Sequence, residues 1–283
     1  MGSSPTVRTI LAALALASCS APPETTIDVA VIGSTPKRAD PDRVLLAGAN
    51  RVLADATAMG LVALDARGQV EPALAESWIV TDDGLSTIFR IHRLRWPDGR
   101  EVTSDEVAAS LQRAVAGGSR NRLKPLLSAV DAVIAMTGRV VEVRLRAARP
   151  QLLELLAQPE LGIRRRGEGL GPWRIASGGS SLTVLRPAAP DADDIDPDNP
   201  PPQDKREIRL RGARVGLAIA RFMEGESLLV LGGTLADWPV VEAAQVRASR
   251  IRVDPAEGLF GLAATTHSDF IQRPELRDAL SMA

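Results

Sequence analysis

The sequence predicts a mixed α/β chain, and three observations carry that prediction. Residues 27–33 (IDVAVIG) form a short β-branched, largely apolar run, the composition of a buried strand. Past residue 205, strand-like runs at 207–210, 228–231, 251–253 and 260–264 alternate with a helical pattern over 215–223 that stops before Gly225. That order suits helices laid against a mixed sheet. Between these regions, residues 64–115 pack turns, an alternating strand and a capped amphipathic helix into one tight series.

Taken in order, Asp40-Pro41 starts a helical stretch to about Met59, with Val44, Leu45, Val52, Leu53 and Ala56 on its apolar side. Ala66-Arg67-Gly68 is a turn, and Pro72 opens an apolar segment carrying Leu74, Ala75 and Trp78. Asp82-Asp83-Gly84 is a second turn, whose glycine tolerates positive φ. Residues 86–93 alternate Thr87, Phe89 and Ile91 with Ile88, Arg90 and His92, as a half-buried strand does. After the turn at Pro97-Asp98-Gly99, Thr103 stands three residues ahead of Glu106, a helix-start signature. Val107, Leu111 and Val115 then give that helix one apolar face. A strand at 140–146, a short helix at 150–156 and a strand at 182–186 follow. Residues 187–204 hold five aspartates between Asp191 and Asp198 and six prolines, a linker that does not fold alone.

Composition sets outer bounds. With 283 residues, 45% of them hydrophobic and 24% charged, the chain is an ordinary globular sequence. Its formal net charge of −1 argues against nucleic acid as a partner. Aromatic residues make up only 3%, with no tyrosine, which weakens any reading that needs an aromatic-lined cleft. At the start, Arg8 precedes a small apolar run, 10–17, that is too short to span a bilayer. Leu16-Ala17-Ser18-Cys19 follows and looks like a lipoprotein signal, with Cys19 as the lipid attachment site. Cys19 is the sole cysteine, so the chain forms no internal disulfide. Residues 20–26 are then a tether outside the fold.

Three segments together resemble the family 5 extracellular solute-binding proteins, receptors of bacterial import systems. They are residues 68–78 (GQVEPALAESW), 83–90 (DGLSTIFR) and 96–107 (WPDGREVTSDEV), in the family's order and spacing. Residues 169–175 (GLGPWRI) resemble a fourth family signature, in which the chain returns from an appended subdomain to the first lobe. Residues 222–226 (FMEGE) resemble a fifth, without the aspartate that usually follows. Residues 274–283 resemble the segment that opens the second lobe. The resemblance implies a periplasmic binding protein type II-like fold: a first lobe with an appended α+β subdomain, and a second lobe largely missing. It divides the chain into a signal peptide at 1–19, tether and early lobe I at 20–48, and an appended subdomain at 49–165. Lobe I resumes at 166–270, and lobe II begins at 271–283. It also implies a small solute, most often a peptide, as ligand and an ABC permease as partner, to which the residues around Cys19 add lipid anchoring in the cell envelope and the net charge adds no nucleic acid. Where relatives carry an aromatic-rich piece, this chain has its aspartate-rich linker instead.

Catalytic chemistry finds little support. His92 and His267 are the only histidines and no cysteine pair exists, so a side-chain zinc or nickel site is not assembled. His92 reads as a solvated face residue; His267 is either structural or close to the cleft. The glycines at 167–171 have neither the preceding strand nor the following helix of a phosphate cradle. Trp173 fits a turn packed by its indole, and Arg164-Arg165-Arg166 fits a solvated loop. No enzyme and no cofactor are expected. In open α/β lobes, ligands lie outside the carboxyl ends of strands. The candidates are therefore Ser34, Thr35 and Pro36, then Gly232, Gly233 and Thr234, and Thr265, Thr266 and His267. All are small, hydroxylated or polar, and ordinary strand-end turns remain the alternative for any one of them. The expected function is solute capture for an importer, weak in this chain because a lobe is lacking. A lipid-anchored interaction lipoprotein that uses the same lobe without transport is the rival.

Overall fold

The computed structural model describes residues 26–46, 48–189, 206–254 and 273–276. Strand β1 (Thr26–Ile32) is the spine of the larger sheet, and its Val29, Ala30 and Val31 are fully buried. Helix α1 (Gly48–Thr57) follows. A second region holds β2 (Val62–Leu64), β3 (Val70–Pro72), β4 (Ala75–Val80), β5 (Ser86–Ile91), α2 (Ser104–Val115), β6 (Val130–Thr137), β7 (Val140–Leu145) and α3 (Leu152–Leu156). The short pair β8 (Arg164–Arg165) and β9 (Glu168–Gly169) leads out of it. The chain then returns through β10 (Trp173–Gly178), β11 (Thr183–Pro187), β12 (Glu207–Ala213), α4 (Val215–Met223), β13 (Leu229–Leu231) and α5 (Trp238–Ala243).

The five-stranded sheet runs β10-β11-β12-β1-β13. β1 lies between β12 and β13 and is parallel to both, while β11 and β10 add as antiparallel strands. Helices cover both faces. Val29 and Val31 pack with Ala49 and Leu53 of α1, and Ala30, on the opposite face, packs with Ala213 and with Ala218 of α4. Alternation along β1 therefore feeds two cores at once, which is why its run carries no polar face.

The other core is larger. A four-stranded antiparallel sheet, β4-β5-β7-β6, is sealed by α2, with Phe89, Ile91, Val107, Leu111, Val141 and Val143 buried together. The alternating strand behaves as expected: Thr87, Phe89 and Ile91 face inward, while Arg90 and His92 are exposed. Thr103 Oγ1 accepts from Glu106 N at 3.3 Å, completing the capping box that starts α2. Gly84 has φ +66°, as its turn requires.

Four expectations need correction. The helix does not start at Asp40: residues 41–44 form a turn closed by the N–H groups of Arg43 and Val44 on Asp40 O, and α1 starts only at Gly48. Residues 251–254 are not a strand; they follow a 3₁₀ turn and pair with nothing among the described residues. Arg164 and Arg165 are not solvated: Arg165 has a side chain only 14% exposed, paired with Asp98 at 2.9 Å and Glu106 at 3.1 Å and stacked over Trp96. Trp173 opens β10 instead of sitting in a turn, with Arg206 over its ring. The strand expected at 260–264 lies outside the described residues.

Candidate functional site

Three parallel strands, β12, β1 and β13, end together, because Ile32 pairs with Ala213 and Val31 with Leu231. Two of the three sequence-predicted sets, Ser34-Thr35 and Gly232-Gly233, thus meet at one sheet edge. Gly48, the first residue of α1, lies over Gly232 O. Gly232 has φ +78°, so the chain turns away there at a conformation few other residues adopt. The third set, Thr265, Thr266 and His267, lies outside the described residues, as does Cys19.

The loop after β1 is pinned residue by residue. Gly33 N donates to Ala213 O at 2.9 Å. Thr35 is buried against Gly212, where any Cβ would run into the backbone of Ser34 and Thr35. Thr183 Oγ1, itself buried, donates to Pro36 O at 2.6 Å, and Lys37 N donates to Asn50 Oδ1 on α1 at 2.8 Å. Lys37 and Arg38 are both exposed, and the Arg38 side chain lies beside Gly167 in the turn between β8 and β9.

Beside this loop the β10–β11 hairpin completes a groove of about 350 Å³, lined by Pro36, Lys37, Arg38, Ile175, Gly178, Gly179 and Thr183. The hairpin sits on the same edge because β11 runs antiparallel to β12, with Thr183 opposite Leu210. Sequence reasoning reached Pro36 but missed the other six. Residues 37–38 and 175–183 lack a shared motif, and only the return of the chain through β10 and β11 joins them.

A second polar cluster ties the two cores together. Glu160, 3% exposed, pairs with Arg51 of α1 at 3.3 Å and with Arg122 at 3.9 Å. Asn121 Nδ2 donates both to Asp42 Oδ1 at 3.0 Å and to Glu160 O at 2.9 Å. Burial raises the Asp42 carboxyl above its ordinary range, partly offset by the bond from Asn121. Burial likewise lowers the Arg164 guanidinium, against the attraction of Asp42, Asp40 and Glu160. These groups hold one another across the join, an arrangement that suits a structural role. Among the described residues, no three of His, Cys, Asp and Glu gather to hold a metal ion, and no helix is long and apolar enough to cross a membrane.

Residues 69–201 match the family model for bacterial extracellular solute-binding proteins, family 5 Middle. A curated relative, the probable deoxycholate-binding periplasmic protein YgiS of Escherichia coli (strain K12), is 39% identical over 83 residues, 29% of this chain and 15% of its own. Among solved structures, the PBP AgaA of A. tumefaciens R10 in complex with agropinic acid superposes with a TM-score of 0.61 at 20% identity, over 71% of this chain and 43% of its own. The ABC transporter-associated periplasmic binding protein DppA of Helicobacter pylori, in complex with peptide STSA, gives 0.59 at 16% identity, over 77% and 49%. The fold is therefore that of periplasmic binding protein type II lobes, and the chain spans less than half the length of each of these proteins.

Proposed function

We propose that this chain is the capturing lobe of a periplasmic solute receptor that serves an ABC importer. The observation that carries the reading is the coincidence of the family 5 segment, residues 69–201, with a pinned, grooved sheet edge on the lobe that this segment adjoins. Ser34, Thr35, Gly232 and Gly233 contribute small groups and backbone to that edge, and the groove residues contribute its walls. We place the join between lobe and appended subdomain just after α1, since Ala49 and Leu53 belong to the core of the larger sheet. Thr265, Thr266 and His267 remain candidates for the same edge, and Cys19 for lipid attachment in the cell envelope.

The ligand class in this reading is a peptide or a related small solute. DppA and AgaA are described with a peptide and an organic acid, and YgiS is named for a bile acid. Capture without chemistry suits a groove whose lining offers no acid, base or nucleophile arranged to react. The groove as described covers one side of a ligand, so affinity in the region of millimolar is expected, where closed pockets bury most of their ligand. Amide chemical shifts of the 283-residue chain titrated with a mixed peptide pool test the reading. Saturable shifts at residues 34–38 and 178–183 support it. A flat titration across the pool sinks it, and would favour an interaction lipoprotein. Labelled palmitate incorporated by the natural chain but not by Cys19→Ser tests the anchor separately.

A further inference from the structure

The groove beside the β1 loop carries two adjacent cations that nothing in the described structure neutralises. Lys37 and Arg38 line it and are exposed, yet neither makes an ion pair among the described residues. The other five lining residues are Pro36, Ile175, Gly178, Gly179 and Thr183, none of them acidic. The nearest acid in sequence, Asp40, is engaged elsewhere: its carboxylate faces Arg43 at 3.5 Å and accepts from Asp42 N at 3.0 Å.

The display of those cations is built, not incidental. Thr35 is wedged on Gly212, Pro36 O is held by the Thr183 hydroxyl, and Lys37 N is held by Asn50. Three consecutive residues are thus fixed from three different elements immediately before and at the two charges. A pinned backbone lowers the ordering cost of any ligand that engages the side chains it presents. Among the other lining residues, Gly178 and Gly179 bring no side chain, which leaves space, while Pro36 and Ile175 supply apolar surface. A groove lined both by two cations that make no ion pair among the described residues and by the apolar Pro36 and Ile175 matches an amphipathic anion.

We propose that this groove is an anion-selective subsite, in which Lys37 and Arg38 take the carboxylate of the solute while its carbon skeleton lies along Pro36 and Ile175. The proposal rests on the solute-capture reading above and narrows it to one charge class. Arg38 offers a planar fork suited to two carboxylate oxygens, and Lys37 adds a point charge. Both sit near solvent, so the contribution is moderate and salt-dependent.

The test uses the full chain and a set of N-acetylated tripeptides, each prepared as the free acid and as the carboxamide, followed by amide chemical shifts. Free acids should shift Lys37, Arg38, Gly178, Gly179 and Thr183 saturably, and carboxamides should bind about tenfold more weakly. Raising the salt should shrink that ratio. The Lys37→Met/Arg38→Met variant, with unchanged circular dichroism, should lose the preference, and Lys37→Arg/Arg38→Lys should retain it. Equal binding of acids and carboxamides by the natural chain overturns the anion assignment and leaves solute capture standing. So does a preference that persists in the double methionine variant. If neither series binds at these residues, solute capture fails together with the anion subsite.

Discussion

Glu106 shows how one side chain can organise a whole segment. It closes the capping box with Thr103, accepts from Trp96 Nε1 at 2.6 Å and pairs with Arg165 at 3.1 Å. The stretch that most resembles the family is therefore held together internally, its tryptophan, its acid and its cap all serving the start of α2. Replacing Thr103 with Ala removes the oxygen that accepts from Glu106 N, and should cost about 1 kcal/mol in urea unfolding. Asp42 tests a different property. Burial raises its carboxyl in the folded state above the unfolded value of 3.8, so between those two values the folded chain binds more protons. Stability contributed by this group accordingly falls as pH rises through that window. Asp42→Asn keeps an oxygen for Asn121 and removes the titration. Its unfolding free energy should drop less than that of the natural chain as pH rises above the unfolded carboxyl value of 3.8. An unchanged pH slope would show that the Asp42 carboxyl is not the group responsible.

At the scale of elements, β1 is the organising strand. It feeds cores on both faces and delivers its following loop to the groove. That delivery depends on the close approach of Ser34 and Thr35 to Gly212 near the end of β12. Gly212→Ala puts a methyl group into their backbone, and overpacking of this kind costs about 3 kcal/mol. The same variant should speed hydrogen exchange at residues 34–38 before it affects α2, which belongs to the other core. A stable variant with natural exchange rates at 34–38 would remove the argument that this contact presets the loop.

Among the described residues, polar contacts tie the larger sheet, with a core on each face, to the separate core sealed by α2. Arg51 reaches from α1 to Glu160 and to Gln158 Oε1 at 2.7 Å, and Asn121 links Asp42 to Glu160 O. The two sides of this join are not equivalent. Glu160 is buried, whereas the Arg51 side chain is 42% exposed and returns to water when its partner is lost. Arg51→Met leaves a buried carboxylate whose remaining ion pair among the described residues is with Arg122 at 3.9 Å, and should cost about 3 kcal/mol. Glu160→Gln should cost less, since it buries no charge. Chemical denaturation followed separately at Trp96, in one core, and Trp173, beside the other, reads both effects. In Arg51→Met the two probes should cease to coincide. Coincident transitions at the natural midpoint would show that the join carries no coupling.

Sequence alone determined the elements whose signals are local. The period-2 pattern at 86–91, the Thr103–Glu106 box, the turn at Gly84 and the apolar run of β1 each depend on residues a few positions apart, and the structure shows each of them. Local pattern overreached at Asp40, where a single turn carries helical signals without becoming a helix, and in the charge run at 164–166, where Arg165 is paired across the fold with Asp98 and Glu106. Ser34, Thr35, Gly232 and Gly233 lie at one sheet edge because the parallel strands before them end together. The groove needed tertiary structure. Lys37 and Arg38 meet Ile175, Gly178, Gly179 and Thr183 only because the chain leaves after β1, builds a second core and returns to add two antiparallel strands to the first sheet. Contacts across so long an excursion are settled by packing and by strand register, and no periodicity along the chain records them.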